Sequence, residues 1–293
     1  MKTNDFPGWD SVKGVRLSEN ELDRDFRAVM GKARAMEAPR RSLFRSSNVF
    51  FAYACLAVLL LIAGFAAYSA FRPQKTVIAE NLEYSASKGE IKEVTLPDKS
   101  KVVLNSGSVL ICPAQFGVTR SVYLMGEAIF DVTASDVNPF TVKTSDIQLR
   151  VHGTRFNVKA YFDDPDVKTT LCRGQVEVWP AGRSDRSIEL EPGQTLTYDK
   201  SGGSMVVSRG YASEATSWED GDLCFRSESI HGVIRILERH FNVNIYLTTD
   251  KYDDAVITAS FIHSETLEDL LKAIAAVIPG MKYTIEGDKV YLK

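Results

Sequence analysis

Four histidines, four cysteines and one acidic cluster are the residues whose types could carry chemistry. No two histidines stand four residues apart, and the chain has neither an HExxH nor a CxxC motif, so no zinc site is predicted. It also lacks a P-loop, a GxGxxG turn and a GxSxG turn. Asp163, Asp164 and Asp166 do not have the spacing of an EF-hand and are interpreted as a solvated hairpin tip. The sequence therefore predicts no catalytic, cofactor-binding or metal-binding residues.

Three of the cysteines, Cys112, Cys172 and Cys224, are widely spaced and odd in number, unlike a disulfide scaffold. We interpret them as thiols within strands, and the sequence leaves open a Cys112–Cys172 disulfide. His231 and His240 border a predicted helix and are expected at the surface.

An uncharged stretch of 23 residues, Val49 to Phe71, divides the chain. A helix of this length spans about 35 Å, enough to cross a hydrocarbon core of about 30 Å. The stretch is longer than the apolar core of a signal peptide and begins farther from the N-terminus. It predicts a transmembrane helix over 49–71 that separates a head, 1–48, from a linker, 72–81, and a long tail.

Charge predicts the orientation of this span. Five cations closely precede the stretch and three follow it: Lys32, Arg34, Arg40, Arg41 and Arg45 before, Arg72, Lys75 and Lys88 after. The excess places the N-terminus in the cytoplasm and the tail in the periplasm of an inner-membrane protein. The residues after Phe71 carry 25 Lys/Arg against 31 Asp/Glu, and this acidic balance argues against nucleic-acid binding.

The head contains one predicted amphipathic helix, over about residues 19–36. Ser18 and Glu21 have the spacing of a capping box, and apolar residues follow at helical intervals: Leu22, Phe26, Val29, Met30 and Ala33. Such a stripe could dock into a groove of a cytosolic partner. The alternative is a helix that rests on the membrane or frays.

Residues 82–208 are predicted to form an all-β domain, a sandwich or β-roll. Short runs rich in β-branched and aromatic residues alternate with turn residues at roughly ten-residue intervals. Phe130, Val132, Phe156 and Val158 alternate along their runs and should face a core.

The same region resembles FecR-type domains. The resemblance rests on Pro97 and Asp98 in LPDKS, on Gly126 and Glu127 in GEAIFDV, on Gly153, Thr154 and Phe156 in VHGTRFNV, and on Gly174 in GQVEV. These positions are interpreted as structural.

Residues 218–293, after a linker at 209–217, are predicted to form an α+β domain with the order β-α-β-β-α-β-β. With Trp218, Leu223 and Phe225, and with LERHFNV and LEDLL, this region resembles the domain that follows FecR domains in Bacteroidetes proteins. That domain is similar to the short N-terminal domain of secretins and TonB-dependent transporters. The last strand, with Val290, Tyr291 and Leu292, is expected to offer a sheet edge to a transporter.

The resemblance implies a non-enzymatic anti-sigma factor with no cofactor. Its periplasmic tail would sense an outer-membrane TonB-dependent transporter, and its head would hold an extracytoplasmic-function sigma factor through Leu22, Phe26, Val29, Met30 and Ala33. A membrane protease would release that factor. Bacteroidetes members usually have a longer, multi-helix head. Two alternatives therefore stay open: a transporter-docking tether without a transcriptional role, and a membrane-anchored glycan hydrolase, which would need paired carboxylates about 5–10 Å apart.

Overall fold

The computed structural model describes residues 47–70, 80–262 and 265–293. The predicted helix of the head lies outside them. Helix α1 covers Ser47–Ala70, and its stretch Phe50–Tyr68 is long and apolar enough to cross a membrane, with a mean hydropathy of 2.4. None of that stretch is buried against protein, as expected for a helix surrounded by lipid.

The residues after α1 form two hydrophobic cores, and each core defines a domain of the tail. The β domain contains thirteen strands: β1 (Asn81–Ser85), β2 (Lys92–Thr95), β3 (Lys101–Leu104), β4 (Val109–Pro113), β5 (Arg120–Asp131), β6 (Phe140–Lys143), β7 (Ile147–Val151), β8 (Arg155–Ala160), β9 (Asp166–Arg173), β10 (Val176–Pro180), β11 (Ile188–Leu190), β12 (Gln194–Asp199) and β13 (Met205–Arg209).

These strands form two sheets that share β5. The first sheet has the order β1-β4-β5-β6-β7-β10-β11, and the second has the order β2-β3-β5-β8-β9-β12-β13. All pairs are antiparallel except β5 with β6. One core lies between the sheets, because residues of both contribute to it.

Strand β5 changes sheet at Gly126. Residues before it pair with β4 and β6, and residues from Gly126 onward pair with β8. Gly126 has a φ of +104°, and a Cβ there would lie 2.7 Å from the Ser108 Cα. Ser108 also accepts a hydrogen bond from the Glu127 amide at 2.8 Å. Glycine is therefore required both by the backbone angle and by the close approach of β4.

The predicted inward-facing residues Phe130, Val132, Phe156 and Val158 are all buried, which confirms the alternation. The rings of Phe130 and Phe156 stack with centroids 5.1 Å apart across the β5–β8 pair. This contact fixes the register of the shared strand against β8, because a one-residue shift of either strand would turn its ring outward.

A short helix α2 (Ala212–Thr216) lies within the predicted linker, and a 3-10 turn, Ser217–Asp220, leads into the α+β domain. Its elements have the predicted order: β14 (Leu223–Ser229), α3 (Ile230–Phe241), β15 (Asn244–Leu247), β16 (Val256–Phe261), α4 (Leu267–Val277), β17 (Tyr283–Glu286) and β18 (Lys289–Leu292). The strands divide into an antiparallel pair, β14–β16, and a three-stranded sheet, β15–β18–β17.

The helix starts of this domain follow from their caps. The Ser229 side chain accepts a hydrogen bond from the Gly232 amide, and Thr266 forms a capping box with Asp269. Helix α4 ends at Val277, before Pro279 and Gly280. Helix α3 ends at Phe241 and is capped by Asn242, which has a φ of +52°.

The expectation that the last strand is a sheet edge is wrong. Strand β18 lies between β15, its parallel partner, and β17, its antiparallel partner. Val290 and Leu292 point into the core, whereas Tyr291 lies on the other face and stacks on Tyr246. Pairing with β15 satisfies the side of β18 that a hairpin alone would leave open.

We predict that Gly126→Ala lowers the free energy of unfolding by about 3 kcal/mol, the sum of left-handed backbone strain and overpacking against Ser108. Thermal unfolding of the detergent-solubilised chain, followed by circular dichroism, would measure the loss. Gly182→Ala is the matched control: its φ is +75°, but no atom lies near its added Cβ, so it should cost only about 1 to 2 kcal/mol. Equal losses in the two variants would contradict the close-approach argument.

Candidate functional site

A charge cluster joins the two domains of the tail. It consists of Lys159, Asp163 and Asp164 of the β domain with Arg235 and Arg239 of α3. Asp163 and Asp164 lie in the turn between β8 and β9, and the two arginines are four residues apart, so they project from one face of the helix. The cluster therefore fixes where α3 sits on the end of the second sheet.

Asp164 is the centre of this cluster. Its Oδ1 accepts hydrogen bonds from Arg235 Nε at 2.9 Å and from Arg239 Nη2 at 3.1 Å, while Lys159 Nζ lies 3.4 Å from Oδ2. The Asp164 side chain is only 4% exposed and that of Arg239 9%. Asp163, whose side chain is 59% exposed, adds a second contact to Arg239 at 3.1 Å.

The guanidinium of Arg239 also lies over the ring of Tyr161, with its Cζ 3.8 Å from the centroid. The Tyr161 hydroxyl donates a hydrogen bond to the Ser106 carbonyl at 2.8 Å. On the backbone side, the Arg239 carbonyl accepts a hydrogen bond from the Gly89 amide at 2.9 Å. Arg239 is thus held by the β8–β9 turn and by the β1–β2 turn at once, which restricts rotation of α3 about either contact.

The turn that carries Asp164 is itself fastened to the β domain. Lys200 Nζ donates to the Tyr161 carbonyl at 2.6 Å, and the Lys200 amide donates to the Pro165 carbonyl at 3.2 Å. The two aspartates are therefore presented on an ordered loop, and the ion pairs do not have to order it.

Burial and charge act in opposite directions on the Asp164 carboxyl. Burial raises its pKa, but the nearby charges of Lys159 and Arg239 and the hydrogen bonds from both arginines outweigh burial and lower the pKa below its ordinary value of 3.8. Burial, together with the Glu127 and Asp164 charges, raises the pKa of Tyr161. Asp164 is therefore ionised and Tyr161 neutral at neutral pH.

The interpretation of the Asp163–Asp166 segment as a solvated tip is wrong for Asp164. Its carboxylate is buried because the α+β domain covers the turn, an event that the local sequence does not encode. His240, predicted at the surface, is half-buried beside this contact, while His231 is exposed and pairs with Asp253 at 3.2 Å.

Two further ion pairs connect the domains. Arg155 of β8 contacts Glu219 of the 3-10 turn at 2.6 Å, and Lys168 of β9 lies 4.0 Å from Glu228 of β14. Both pairs are partly exposed, so each contributes little by itself. Together with the charge cluster they spread the contact along the outer face of the second sheet.

The family-motif residues hold turns and strands of the β domain. Asp98, in the predicted Pro97–Asp98 turn, accepts hydrogen bonds from the Ser100 amide at 3.0 Å and from Arg120 at 2.9 Å. The Thr154 hydroxyl donates to the Gln175 carbonyl at 2.9 Å, and a Cβ on Gly174 would lie 2.8 Å from that hydroxyl.

Glu127 has a different environment. It is 8% exposed, and its carboxylate accepts hydrogen bonds from the side-chain amides of Asn105 and Asn157 at 2.8 and 2.9 Å. Two amide donors replace the water that a carboxylate would otherwise need. Glu127 thereby ties β3, β5 and β8 together on the face that the α+β domain covers.

The four cysteines are free thiols in the structure. Cys112 is buried in β4, and burial raises the pKa of its thiol. Cys172 and Cys224 are half-buried in β9 and β14. The Cys112–Cys172 disulfide that the sequence left open is not formed.

The predicted sigma-factor contact residues, Leu22, Phe26, Val29, Met30 and Ala33, lie outside the described residues, and their role stays a prediction. The residues that sequence reasoning missed are Asp164 and Arg239. One signal could have indicated them: Arg235 and Arg239 stand four apart on a helix whose other face is apolar, and two adjacent aspartates supply the opposite charge.

We predict that Asp164→Asn lowers the free energy of unfolding by about 3 kcal/mol at pH 7, because it leaves two arginines without their buried counter-charge. The neighbouring Asp163→Asn should cost less than about 1 kcal/mol, since that carboxylate is exposed. Thermal or urea unfolding of the detergent-solubilised chain would measure both losses of unfolding free energy.

The lowered pKa of Asp164 also predicts how the stability of the protein depends on pH. A carboxyl whose pKa is lowered by folding stabilises the native state above its unfolded pKa and loses that effect as pH falls through the folded pKa. The stability difference between the wild type and Asp164→Asn should stay constant from pH 7 to about 5 and shrink below about 4. A constant difference down to pH 3 would contradict the assignment.

Comparison with known proteins identifies both domains. The FecR protein family model matches residues 83–177, and the FecR C-terminal model matches residues 222–292. No curated protein gives a significant match.

Solved structures also match this chain. A crystal structure of a candidate anti-sigma factor from Parabacteroides distasonis ATCC 8503, at 1.65 Å resolution, is 33% identical, covers 72% of this chain and 98% of its own, and has a TM-score of 0.68. A second, at 2.50 Å, gives 33% identity, 73% and 98% coverage and a TM-score of 0.69. The two family models and these structures together show that the chain belongs to the FecR family of anti-sigma factors.

Proposed function

We propose that this chain is a single-pass inner-membrane regulator. It relays the state of an outer-membrane TonB-dependent transporter to an extracytoplasmic-function sigma factor. The observation that carries the proposal is that both FecR family models match residues on one side of α1, the one candidate membrane helix among the described residues. The residues on the other side form the head, whose amphipathic pattern suits capture of a partner.

The orientation is part of the proposal. The excess of Lys and Arg before the span favours a cytoplasmic N-terminus. The sigma factor would then meet the head, and the transporter would meet the tail. A membrane protease would cut near or within the span to release the sigma factor. No step of this relay uses a catalytic group of the chain itself.

The charge cluster supports the idea that the tail transmits a signal as one body. A buried ion pair with several hydrogen bonds contributes more to a unique geometry than to net stability. Asp164 and Arg239 would keep the two domains in one orientation. A movement of the α+β domain, caused by a force or a contact, would then be transmitted to the β domain.

For the transporter contact we propose the solvent face of the sheet β15–β18–β17. The buried Val290 and Leu292 cannot reach a partner, but Tyr291 can. Its ring stacks on Tyr246, with centroids 5.4 Å apart, and Tyr246 is 46% exposed. Paired tyrosines offer a large contact area at a low entropic cost, as interface hot spots often do.

The sigma-factor arm can be tested with Phe26→Asp. A charge in the apolar stripe should reduce co-purification of the cell's extracytoplasmic-function sigma factors with the membrane-embedded chain by about tenfold or more. Arg24→Asp also introduces an aspartate, but on the opposite face of the helix, and should leave capture unchanged. Unchanged capture in Phe26→Asp, with the protein still in the membrane fraction, would refute the docking helix.

The transporter arm can be tested with Tyr246→Ser and Tyr291→Ser. Either change should weaken co-purification of TonB-dependent transporters after in vivo cross-linking by about tenfold, because it removes one ring of the exposed pair. Tyr123→Ser is the matched control, since Tyr123 is 55% exposed on the first sheet. Equal cross-linking in the three variants would exclude this face as the contact.

A further inference from the structure

A cleft of about 340 Å³ lies between the two domains, beside the charge cluster. Its floor is the outer face of the second sheet, and its roof comes from α2, the 3-10 turn, β14 and α3. The volume lies at the lower end of the range of about 300 to 1,000 Å³ for small-molecule sites, and such sites often occur between domains.

The floor is unusually polar for a covered sheet face. Register brings Asn157 of β8, Thr170 of β9, Thr195 of β12 and Ser208 of β13 into one row across the sheet. The hydroxyls of Thr170 and Thr195 lie 2.9 Å apart. Since each hydroxyl has one donor and two acceptor positions, this bond leaves one donor and further acceptors for a ligand.

Two buried polar atoms in the cleft walls have no hydrogen-bond partner among the described residues. They are Asn157 Oδ1, an acceptor, and Trp218 Nε1, a donor; the two residues are 4% and 7% exposed. Buried polar atoms are normally satisfied, and leaving one unsatisfied costs about 1 to 3 kcal/mol. A ligand in the cleft that can both donate and accept would reach these two atoms only after a movement of the side chains that cover them.

The charges of the cleft balance. Its lining includes four cations, Lys159, Lys168, Arg209 and Arg226. It also includes four carboxylates, Glu127, Glu214, Asp222 and Glu228.

Several of these charged groups are already engaged inside the protein. Lys159 pairs with Asp164, Lys168 with Asp166, and Arg226 with Glu214. A charged ligand that pairs with Lys159, Lys168 or Arg226 would have to displace one of these partners, whereas a neutral ligand would not.

The roof is lined by the exposed ring of Tyr211 and by the largely buried Trp218 and Phe225. A neutral ring that carries hydroxyl groups combines what the two walls offer: hydroxyls for the Thr and Asn row, and C–H faces for the aromatic side chains. We propose that the cleft binds a neutral polyhydroxylated small molecule, of the chemical class of a mono- or disaccharide. Because the ligand contacts both domains, its binding stabilises their contact.

The test is calorimetric titration of the detergent-solubilised full chain with glucose, maltose and cellobiose, and with lysine and glutamate as charged probes. The proposal expects at least one of the three sugars to bind and the charged probes to bind more weakly or not at all. Thr195→Val, which keeps the shape and removes the hydroxyl, should weaken sugar binding about tenfold. Trp218→Phe should do the same by removing the indole donor.

Thr141→Val, a hydroxyl deletion in β6 of the first sheet, should leave binding unchanged. The proposal is overturned if none of the three sugars binds, if a charged probe binds more tightly than all of them, or if Thr195→Val and Trp218→Phe both bind as well as Thr141→Val. Because the readout is binding to the tail, failure here would leave sigma-factor capture by the head unaffected.

Discussion

The buried pairing of Asp164 with Arg235 and Arg239 is the interaction on which the arrangement of the tail depends. An ionised carboxylate with 4% exposure is tolerable only where cations and hydrogen-bond donors replace its water, and α3 supplies two of the three cations that do so. Removal of the α+β domain would leave Asp164 with Lys159 alone. The β domain and the α+β domain are therefore complementary in charge as well as in shape.

This complementarity explains how two domains with separate cores can keep one relative orientation. Each core is apolar and closed on itself, so neither core dictates where the other lies. Orientation comes from directional contacts between them: the arginines of α3, the Arg155–Glu219 pair and the Gly89–Arg239 backbone bond. Directional contacts have few alternative geometries, whereas apolar surfaces can slide. The second sheet meets the α+β domain through charged groups. The space that remains between them is therefore lined by polar side chains and forms the polar cleft.

Local patterns predicted the elements well. Turn residues and alternation indicated the β domain, and the sequence also predicted the order of the α+β domain, because these features depend on neighbours in sequence. What failed depends on neighbours in space. The sequence pattern of the turn at Asp164 is that of a solvated tip, and its burial depends on α3. The pattern of Val290–Leu292 is that of an edge strand, and its pairing depends on β15, 45 residues earlier in the chain. The sequence also did not predict that two sheets share β5, although Gly126, where the strand changes sheet, is among the motif residues.

The shared strand has a consequence for how the tail folds. Strand β5 contributes its first half to one sheet and its second half to the other, so neither sheet is complete before β5 has paired. A partly folded chain therefore contains two incomplete sheets. Many of the pairings are also distant in sequence, such as β7 with β10 and β5 with β8, and non-local pairing slows folding. We expect a newly made chain to pass through a long-lived stage with open strand edges, during which it depends on protection from aggregation.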